Sequence, residues 1–263
     1  YRGRMSGRKI IDDCHICGLH TNLTFEHVPP RAAFNNRPVI NTPFEKLINA
    51  DNLDELSVFG GRKSQRGSGG YTLCGNCNSN TGAWYGNAFV DWAYQGLRIS
   101  RYAATAPTLV FIFRIFPLRV IKQIICMFFS VNHPGFHKAH EDLVRFVLNK
   151  HMKYLDPKKR IFVYFNDSNR VRQFSITAKF NINSAEGIKL FSEVSFPPFG
   201  YLMCIDSEPP DRRIVDISYF SEYGYNEYTD VTLRLPKLPV YTPIPGDYRG
   251  RDEVIKERHN NSE

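Results

Sequence analysis

Two pairs of cysteines, each with a two-residue spacer, are the residues most suited to bind a metal ion. They are Cys14 with Cys17 and Cys74 with Cys77. The spacer lets both thiolates of a pair reach one ion, so two pairs predict a tetrahedral structural zinc site. A redox dithiol is the alternative for a single pair, but two pairs around a polar stretch favour a metal. Residues 10–82 have few apolar side chains and need such an ion to hold them together.

Three polar residues near these pairs form a candidate reactive set: Glu26, His27 and Asn78. Imidazole titrates near neutral pH and can act as a general base, while carboxylate and amide oxygens suit a hard ion such as Mg²⁺ or Mn²⁺. Glu26 and His27 are neighbours, so on a strand they point to opposite sides, and one can bind metal while the other faces water. The zinc site would tie this strand to the segment that carries Asn78. A base and a divalent ion are what hydrolysis of a phosphodiester bond requires.

The same residues have a second interpretation. Four-cysteine zinc modules often only bind nucleic acid or support a fold, and His27 would then be a capping or core histidine. Glu26 beside His27, the cysteine pairs on both sides, and Asn78 directly after the last cysteine favour the catalytic interpretation.

Short elements must position these side chains. Leu23–His27 is rich in strand formers and is stopped by Pro29-Pro30, which predicts a strand. After the last cysteine, Trp84, Ala88 and Trp92 recur at helical spacing and predict a helix.

Between this strand and the second cysteine pair lies a long, loop-rich insert. Its end, residues 60–70, holds five glycines and the three cations Arg62, Lys63 and Arg66. These cations are candidates for contacts with nucleic-acid phosphates. The alternative is an ordinary solvated loop.

From residue 109 onward, the sequence pattern predicts a mixture of strands and helices. Leu109–Phe116 predicts a buried strand, and the helix after it would carry Lys122 and Gln123 on its polar side. Ile161–Phe165 and Phe174–Phe180 flank a polar turn, which predicts a hairpin. We therefore expect an α+β protein with a zinc-stabilised module over residues 1–103 and a strand-rich α+β domain over residues 104–263.

Composition limits the partners and the compartment. The chain has 263 residues, a net charge of +8 and a sequence pI of about 9.2, which favours a polyanionic partner such as nucleic acid. Cys126 and Cys204 lie in apolar runs, which is typical of buried thiols in a protein of a reducing compartment. The apolar stretch Leu109–Val131 contains three basic residues, each of which would cost about 2.5–3.5 kcal/mol inside a membrane. We therefore expect a cytoplasmic protein that does not cross a membrane.

One aromatic-rich run has two interpretations. Its side chains could stack on bases, or they could fill a β-rich core and its rim. The run consists of Tyr219, Phe220, Tyr223, Tyr225 and Tyr228.

At the metal-binding motifs the chain resembles the HNH (ββα-metal) nucleases. The most similar branch carries a four-cysteine zinc site and includes phage recombination endonucleases. That branch has the order C-x2-C, Asp-His, Arg-Gly and Leu-Cys-x2-Cys-Asn. The matching residues are Cys14 and Cys17, Glu26-His27, Arg66-Gly67, Leu73-Cys74 and Cys77-Asn78, within roughly residues 10–85.

The resemblance implies a ββα-metal module with a defined set of roles. His27 would be the general base, Glu26 and Asn78 would bind one catalytic Mg²⁺ or Mn²⁺, and the four cysteines would bind the structural zinc. It further implies an endonuclease that acts on DNA, with a second domain that recognises a target, a regulatory protein or a second protomer. Similar architectures suggest a regulated effector in conflict between bacteria and phages.

The chain departs from the family pattern in three respects. Glu26 replaces the usual aspartate, the insert after the strand is longer than usual, and the middle asparagine that orients the histidine has no clear match. Asn52 and Gln65 are the candidates for that asparagine. Asn80 is a further amide that could replace or assist Asn78.

Overall fold

The computed structural model describes residues 9–42, 44–48, 61–102, 106–179 and 187–260. The strands are β1 (Ile11–Asp13), β2 (His20–His27), β3 (Val39–Asn41), β4 (Arg62–Ser64), β5 (Gly69–Cys74), β6 (Thr108–Ile115), β7 (Lys159–Asn166), β8 (Arg172–Lys179), β9 (Lys189–Phe196), β10 (Phe199–Ile205), β11 (Val215–Asp216) and β12 (Thr229–Leu238). The helices are α1 (Phe44–Ile48), α2 (Gly75–Thr81), α3 (Asn87–Tyr102), α4 (Pro117–Val131), α5 (Phe136–Ala139), α6 (Glu141–Leu148) and α7 (Arg251–Asn260). The predicted mixed α+β fold with a strand-rich later part is confirmed.

A small antiparallel sheet carries two of the predicted reactive residues. β2 lies in its centre, with β1 on one side and β5 on the other. β2 forms because Leu23, Thr24 and Phe25 favour extended backbone, and it ends at His27, just before the two prolines. α2 follows β5 directly along the chain. The predicted strand over 23–27 is therefore confirmed and is longer at its N-terminal end.

The predicted helix after the second cysteine pair is also confirmed. α2, a π-helical turn over Gly82–Gly86 and α3 form one continuous helical segment. Its apolar side is buried: the Trp92 indole N–H donates to the Tyr201 hydroxyl at 2.8 Å, and the Trp92 ring stacks on Phe199 with centroids 4.6 Å apart. These contacts join the first third of the chain to the second sheet.

The second sheet has the order β6-β12-β7-β10-β9-β8, with β11 paired to β7. One face packs into the main core around α4. Val240 and Tyr248, which follow β12, pack with Phe162 and Tyr164 of β7 on the opposite face. The sheet is thus covered by a helix on one side and by the C-terminal segment on part of the other.

α4 is buried on all sides, so the prediction that Lys122 and Gln123 lie on a polar side is wrong. α4 packs against α3, α6, β5 and β9 at once. Lys122 Nζ donates to the carbonyls of Phe146 and Asn149 at 2.6 Å each, which satisfies the end of α6. Burial lowers the pKa of Lys122 to about 7. The helical pattern could not reveal this, because burial of the polar side depends on elements far away in the chain.

The predicted hairpin of Ile161–Phe165 with Phe174–Phe180 is also wrong. β10 and β9 lie between β7 and β8 in the sheet. The tight hairpin is instead formed by β9 and β10, in which Phe196 pairs with Phe199. A polar turn between two strands does not by itself decide whether the strands pair.

The apolar stretch Leu109–Val131 is divided between β6 and α4. Phe113, Ile121 and Phe128 are fully buried and lie in the main core. In the described part of the chain, no helix is both long enough and apolar enough to cross a membrane.

The main core contains residues from both sides of residue 103. Leu73 and Phe89 pack in the same cluster as Phe128 and Leu235. The predicted boundary between residues 103 and 104 lies outside the described residues, and the division into two domains stays a prediction.

Candidate functional site

The four predicted zinc ligands converge on one point. The Sγ atoms of Cys14, Cys17, Cys74 and Cys77 all lie within 4.8 Å of one another, and the Cys17 and Cys74 sulfurs are 3.8 Å apart. The first pair lies in the turn between β1 and β2, while the second pair spans the junction of β5 and α2. The cluster can therefore hold a structural metal such as zinc.

Hydrogen bonds within the cluster favour negative charge on sulfur. The Cys74 N–H donates to Cys14 Sγ at 3.3 Å, and the Cys77 N–H donates to Cys74 Sγ at 3.4 Å. A hydrogen bond from the Cys77 thiol lowers the pKa of Cys14 to about 4, and the same bond together with burial raises the pKa of Cys77. Burial also raises the pKa of Cys17. A bound divalent cation would favour the thiolate form of these cysteines.

His15, between the first two ligands, anchors the metal site to the core. The backbone N–H of His15 donates to the Thr72 carbonyl at 2.9 Å, and the ring Nδ1 lies 3.0 Å from the Phe129 carbonyl of α4. The metal site is thus fixed to β5 and α4 as well as to α2.

Asn78 lies on α2 and faces β2. Its Nδ2 donates to Thr24 Oγ1 at 2.9 Å and to the Phe25 carbonyl at 3.4 Å. Because a carbonyl can only accept, these contacts fix the nitrogen toward β2. Within the described residues Oδ1 makes no hydrogen bond, so the amide oxygen is available as a metal ligand. Asn80, the other candidate amide, is exposed on the surface.

Glu26 lies on the same side of β2 as Thr24, because alternate residues of a strand share a face. Its charge contributes to raising the pKa of Cys126, which is buried in α4, so the carboxyl group faces the helical layer. Burial raises the pKa of Glu26 from 4.5 to about 7. A carboxylate in this position needs a nearby cation in order to stay ionised at neutral pH.

The raised pKa of Glu26 predicts a pH dependence of stability. Between about pH 4.5 and 7 the folded chain keeps a proton that the unfolded chain has released, so the free energy of unfolding falls as pH rises. The loss is about 1–3 kcal/mol for this partly buried group. Urea unfolding of the zinc-loaded protein without other divalent ions should show this slope, and Glu26→Gln should remove it.

The matched control for this prediction is Glu222→Gln, since Glu222 is exposed. Its stability profile should keep the slope of the unmodified protein. Parallel profiles for Glu26→Gln and the unmodified protein would contradict the raised pKa of Glu26.

His27 lies on the other side of β2, at its last position. Its ring is 4.9 Å from the Phe25 ring, edge to face, which shows that the two side chains share a face. Burial lowers the pKa of His27, a backbone hydrogen bond with Arg66 opposes this, and the charges of Arg31 and Arg66 lower it further. His27 is therefore neutral at pH 7 and can accept a proton. As predicted for neighbours on a strand, Glu26 and His27 point to opposite sides.

A buried asparagine fixes the segment that contacts His27. Asn35 Nδ2 donates to the carbonyls of Pro29 and Ser68, and its Oδ1 accepts from the Ser68 N–H, all at 2.7 Å. Gly67 has a φ of +85°, and a Cβ there would lie 2.4 Å from Asn35 Oδ1. Only glycine fits that position. Asn35 thus holds the segment that begins with Arg66 against the end of β2.

Sequence reasoning missed Asn35, because a buried amide with main-chain partners has no local pattern. Of the two residues considered for orienting the histidine, Asn52 lies outside the described residues and Gln65 is exposed. The backbone of Arg66 lies close enough to His27 to influence its pKa.

The predicted phosphate contacts differ in their relation to His27. Arg66 lies beside it: Arg66 Nη1 donates to the Tyr71 hydroxyl at 2.9 Å, and the guanidinium lies 5.7 Å from the Phe25 ring centroid. Arg62 and Lys63 lie on β4 and are exposed. Arg31 is a further cation near His27 that the sequence did not single out.

Comparison of the chain with protein-family models, with curated proteins and with solved structures gives no match.

Proposed function

We propose that this protein is a metal-dependent endonuclease of the HNH type that hydrolyses phosphodiester bonds in DNA. The observation that carries the proposal is the arrangement of a neutral histidine and two oxygen ligands on β2 and α2. Glu26 and Asn78 lie on the helix side of β2, and His27 ends the same strand on its other side. The succession β2, β5, α2 is the order expected of a ββα-metal module.

In this proposal each side chain has one task. A ring nitrogen of the neutral His27 accepts a proton from the attacking water. Glu26 and Asn78 Oδ1 would hold a Mg²⁺ or Mn²⁺ ion, which would supply Lewis-acid stabilisation of the scissile phosphate and the leaving oxygen. Arg66 and Arg31 attract the phosphate backbone through their charge.

Asn35 and Arg66 together supply what a middle asparagine supplies in the HNH pattern. The Asn35 side chain closes the loop, which places the Arg66 backbone beside the histidine. The lack of a clear match to the middle asparagine of the HNH pattern is therefore compatible with the proposed function.

The oxygen ligands are tested by a Mn²⁺ titration of the zinc-loaded protein, followed by electron paramagnetic resonance. Glu26→Gln is expected to weaken Mn²⁺ binding by at least about tenfold, because a neutral amide replaces a charged ligand. Mn²⁺-dependent cleavage should fall in parallel, and zinc content should stay unchanged. Glu222→Gln should bind Mn²⁺ like the unmodified protein.

Equal Mn²⁺ affinity in the unmodified protein and Glu26→Gln would remove Glu26 from the proposed metal site. DNA binding without cleavage under any divalent ion would favour the alternative, a non-catalytic zinc-containing nucleic-acid-binding protein. Cleavage that begins only when a second component is added would favour a regulated effector, with residues 104–263 as the regulatory or self-associating part.

A further inference from the structure

An open cleft of about 670 Å³ lies on the second sheet, away from the cysteine cluster. It is lined by β12 and by the segment that leads into β11. On β12, Leu233 and Leu235 point into the main core, whereas Thr232 and Arg234 point to the opposite, exposed face. On this face the C-terminal segment packs against β7 and against Leu238 at the end of β12, and the cleft extends from there along β12 past the exposed Arg234 and Thr232.

The cleft is strongly cationic. Four basic residues line it against one carboxylate, Asp216, which is bonded to Arg160 at 2.9 Å. One of the four, Arg213, is paired with Asp211 at 2.7 Å. Arg234 is exposed, and its side chain makes no hydrogen bond or ion pair with another described residue. Guanidinium groups match the geometry of phosphate oxygens, so such a lining favours a phosphorylated ligand. The four basic residues are Arg212, Arg213, Arg234 and Lys237.

An aromatic ring and an apolar floor accompany these charges. Tyr219, which is 37% exposed, lines the cleft, and Ile214 and Leu238 are buried beneath it. Tyr219 belongs to the aromatic run, residues 219–228, whose side chains could stack on bases. The neighbouring Phe220 is fully buried, and Tyr225 packs on Arg119 with 4.0 Å between the guanidinium and the ring centroid. Among these, Tyr219 is therefore the ring that is available to a ligand in the cleft.

We propose that this cleft binds a nucleoside phosphate, with the phosphate at Arg234 and its neighbours and the base on Tyr219. The volume lies within the range of about 300–1,000 Å³ that is typical of small-molecule sites. Aromatic rings bind bases by stacking regardless of sequence. The ligand is either a free nucleotide or one nucleotide of a nucleic-acid strand. The inference uses none of the residues of the proposed nuclease site and stands independently of it.

The test measures binding to the full-length, zinc-loaded protein without added Mg²⁺ or Mn²⁺. The probes are AMP, a fluorescein-labelled hexamer of deoxythymidine, and inorganic pyrophosphate. Arg234→Glu is expected to weaken AMP or hexamer binding by at least about tenfold, because it replaces an attraction for phosphate with a repulsion. Tyr219→Ala should weaken binding of the same probe about fivefold or more and leave pyrophosphate binding unchanged.

Arg98→Glu is the matched control, since Arg98 is an exposed arginine on α3 outside the cleft. Arg66→Ala separates the two sites, because it should not change the binding of AMP. Whichever of AMP and the hexamer binds more tightly identifies the source of the nucleotide.

Equal affinities for Arg234→Glu and the unmodified protein would overturn the proposal, and so would a Tyr219→Ala variant with unchanged AMP and hexamer binding. Thermal unfolding of each variant checks that the fold is intact. Arg234→Lys, which keeps the positive charge, is a milder substitution at the same position.

Discussion

Replacing His27 with alanine is expected to lower the rate of DNA cleavage by about 10²–10⁴-fold, which is the usual contribution of a positioned general base. The His27 side chain is neutral and lies at the end of β2 beside Arg66, so its loss removes the proton acceptor without removing a metal ligand. Single-turnover cleavage of a labelled duplex at saturating Mn²⁺ measures the effect. Zinc content and DNA affinity should stay within about twofold of the unmodified protein.

His20→Ala is the matched control, because His20 begins the same strand and its side chain is 67% exposed. It should cleave like the unmodified protein. The pH dependence gives a second readout: the rate should fall only as pH drops below 6.5, since the pKa of His27 is lowered in the fold. Full activity in His27→Ala would remove the histidine from the mechanism.

Replacing Cys77 with serine is expected to abolish zinc binding and to unfold the region around β2 and β5. Structural zinc contributes about 10–16 kcal/mol of binding free energy in small zinc modules, which is as large as the whole stability of an ordinary domain. The cluster joins the β1–β2 turn to the start of α2, so its loss separates the strand of Glu26 from the helix of Asn78. Zinc analysis by mass spectrometry and limited proteolysis measure the two effects.

Cys126→Ala is the control for this prediction, because Cys126 is a buried cysteine of α4 outside the cluster. It should keep about one zinc ion per chain while losing some stability to the cavity. Intact folding of Cys77→Ser without zinc would show that the core around α4 holds this region together by itself.

The cysteine cluster and the two sides of β2 could be predicted because both depend on local spacing. Two residues between Cys14 and Cys17 let the thiolates converge, and the alternation of a strand separates Glu26 from His27. Contacts between distant segments could not be predicted in this way. The polar side of α4 is buried by α6, and β10 and β9 separate the two strands of the predicted hairpin.

The contacts around the proposed reactive residues were equally hidden in the sequence. The Asn35 side chain bonds main-chain groups of Pro29 and Ser68, and Arg66 lies near His27. The cationic cleft combines Arg234 of β12 with basic residues of the segment before β11, and no motif marks that combination. Composition indicated a polyanionic partner but not where it would bind.

The most direct test of the proposed function is cleavage by the unmodified, zinc-loaded protein. Supercoiled plasmid, linear duplex and single-stranded DNA are each incubated with Mg²⁺, Mn²⁺ or Ni²⁺, and the products are separated by electrophoresis. We predict nicked or shortened DNA with at least one of these ions and intact DNA without any of them. Intact DNA of all three kinds in the presence of all three ions would contradict the assignment as a nuclease.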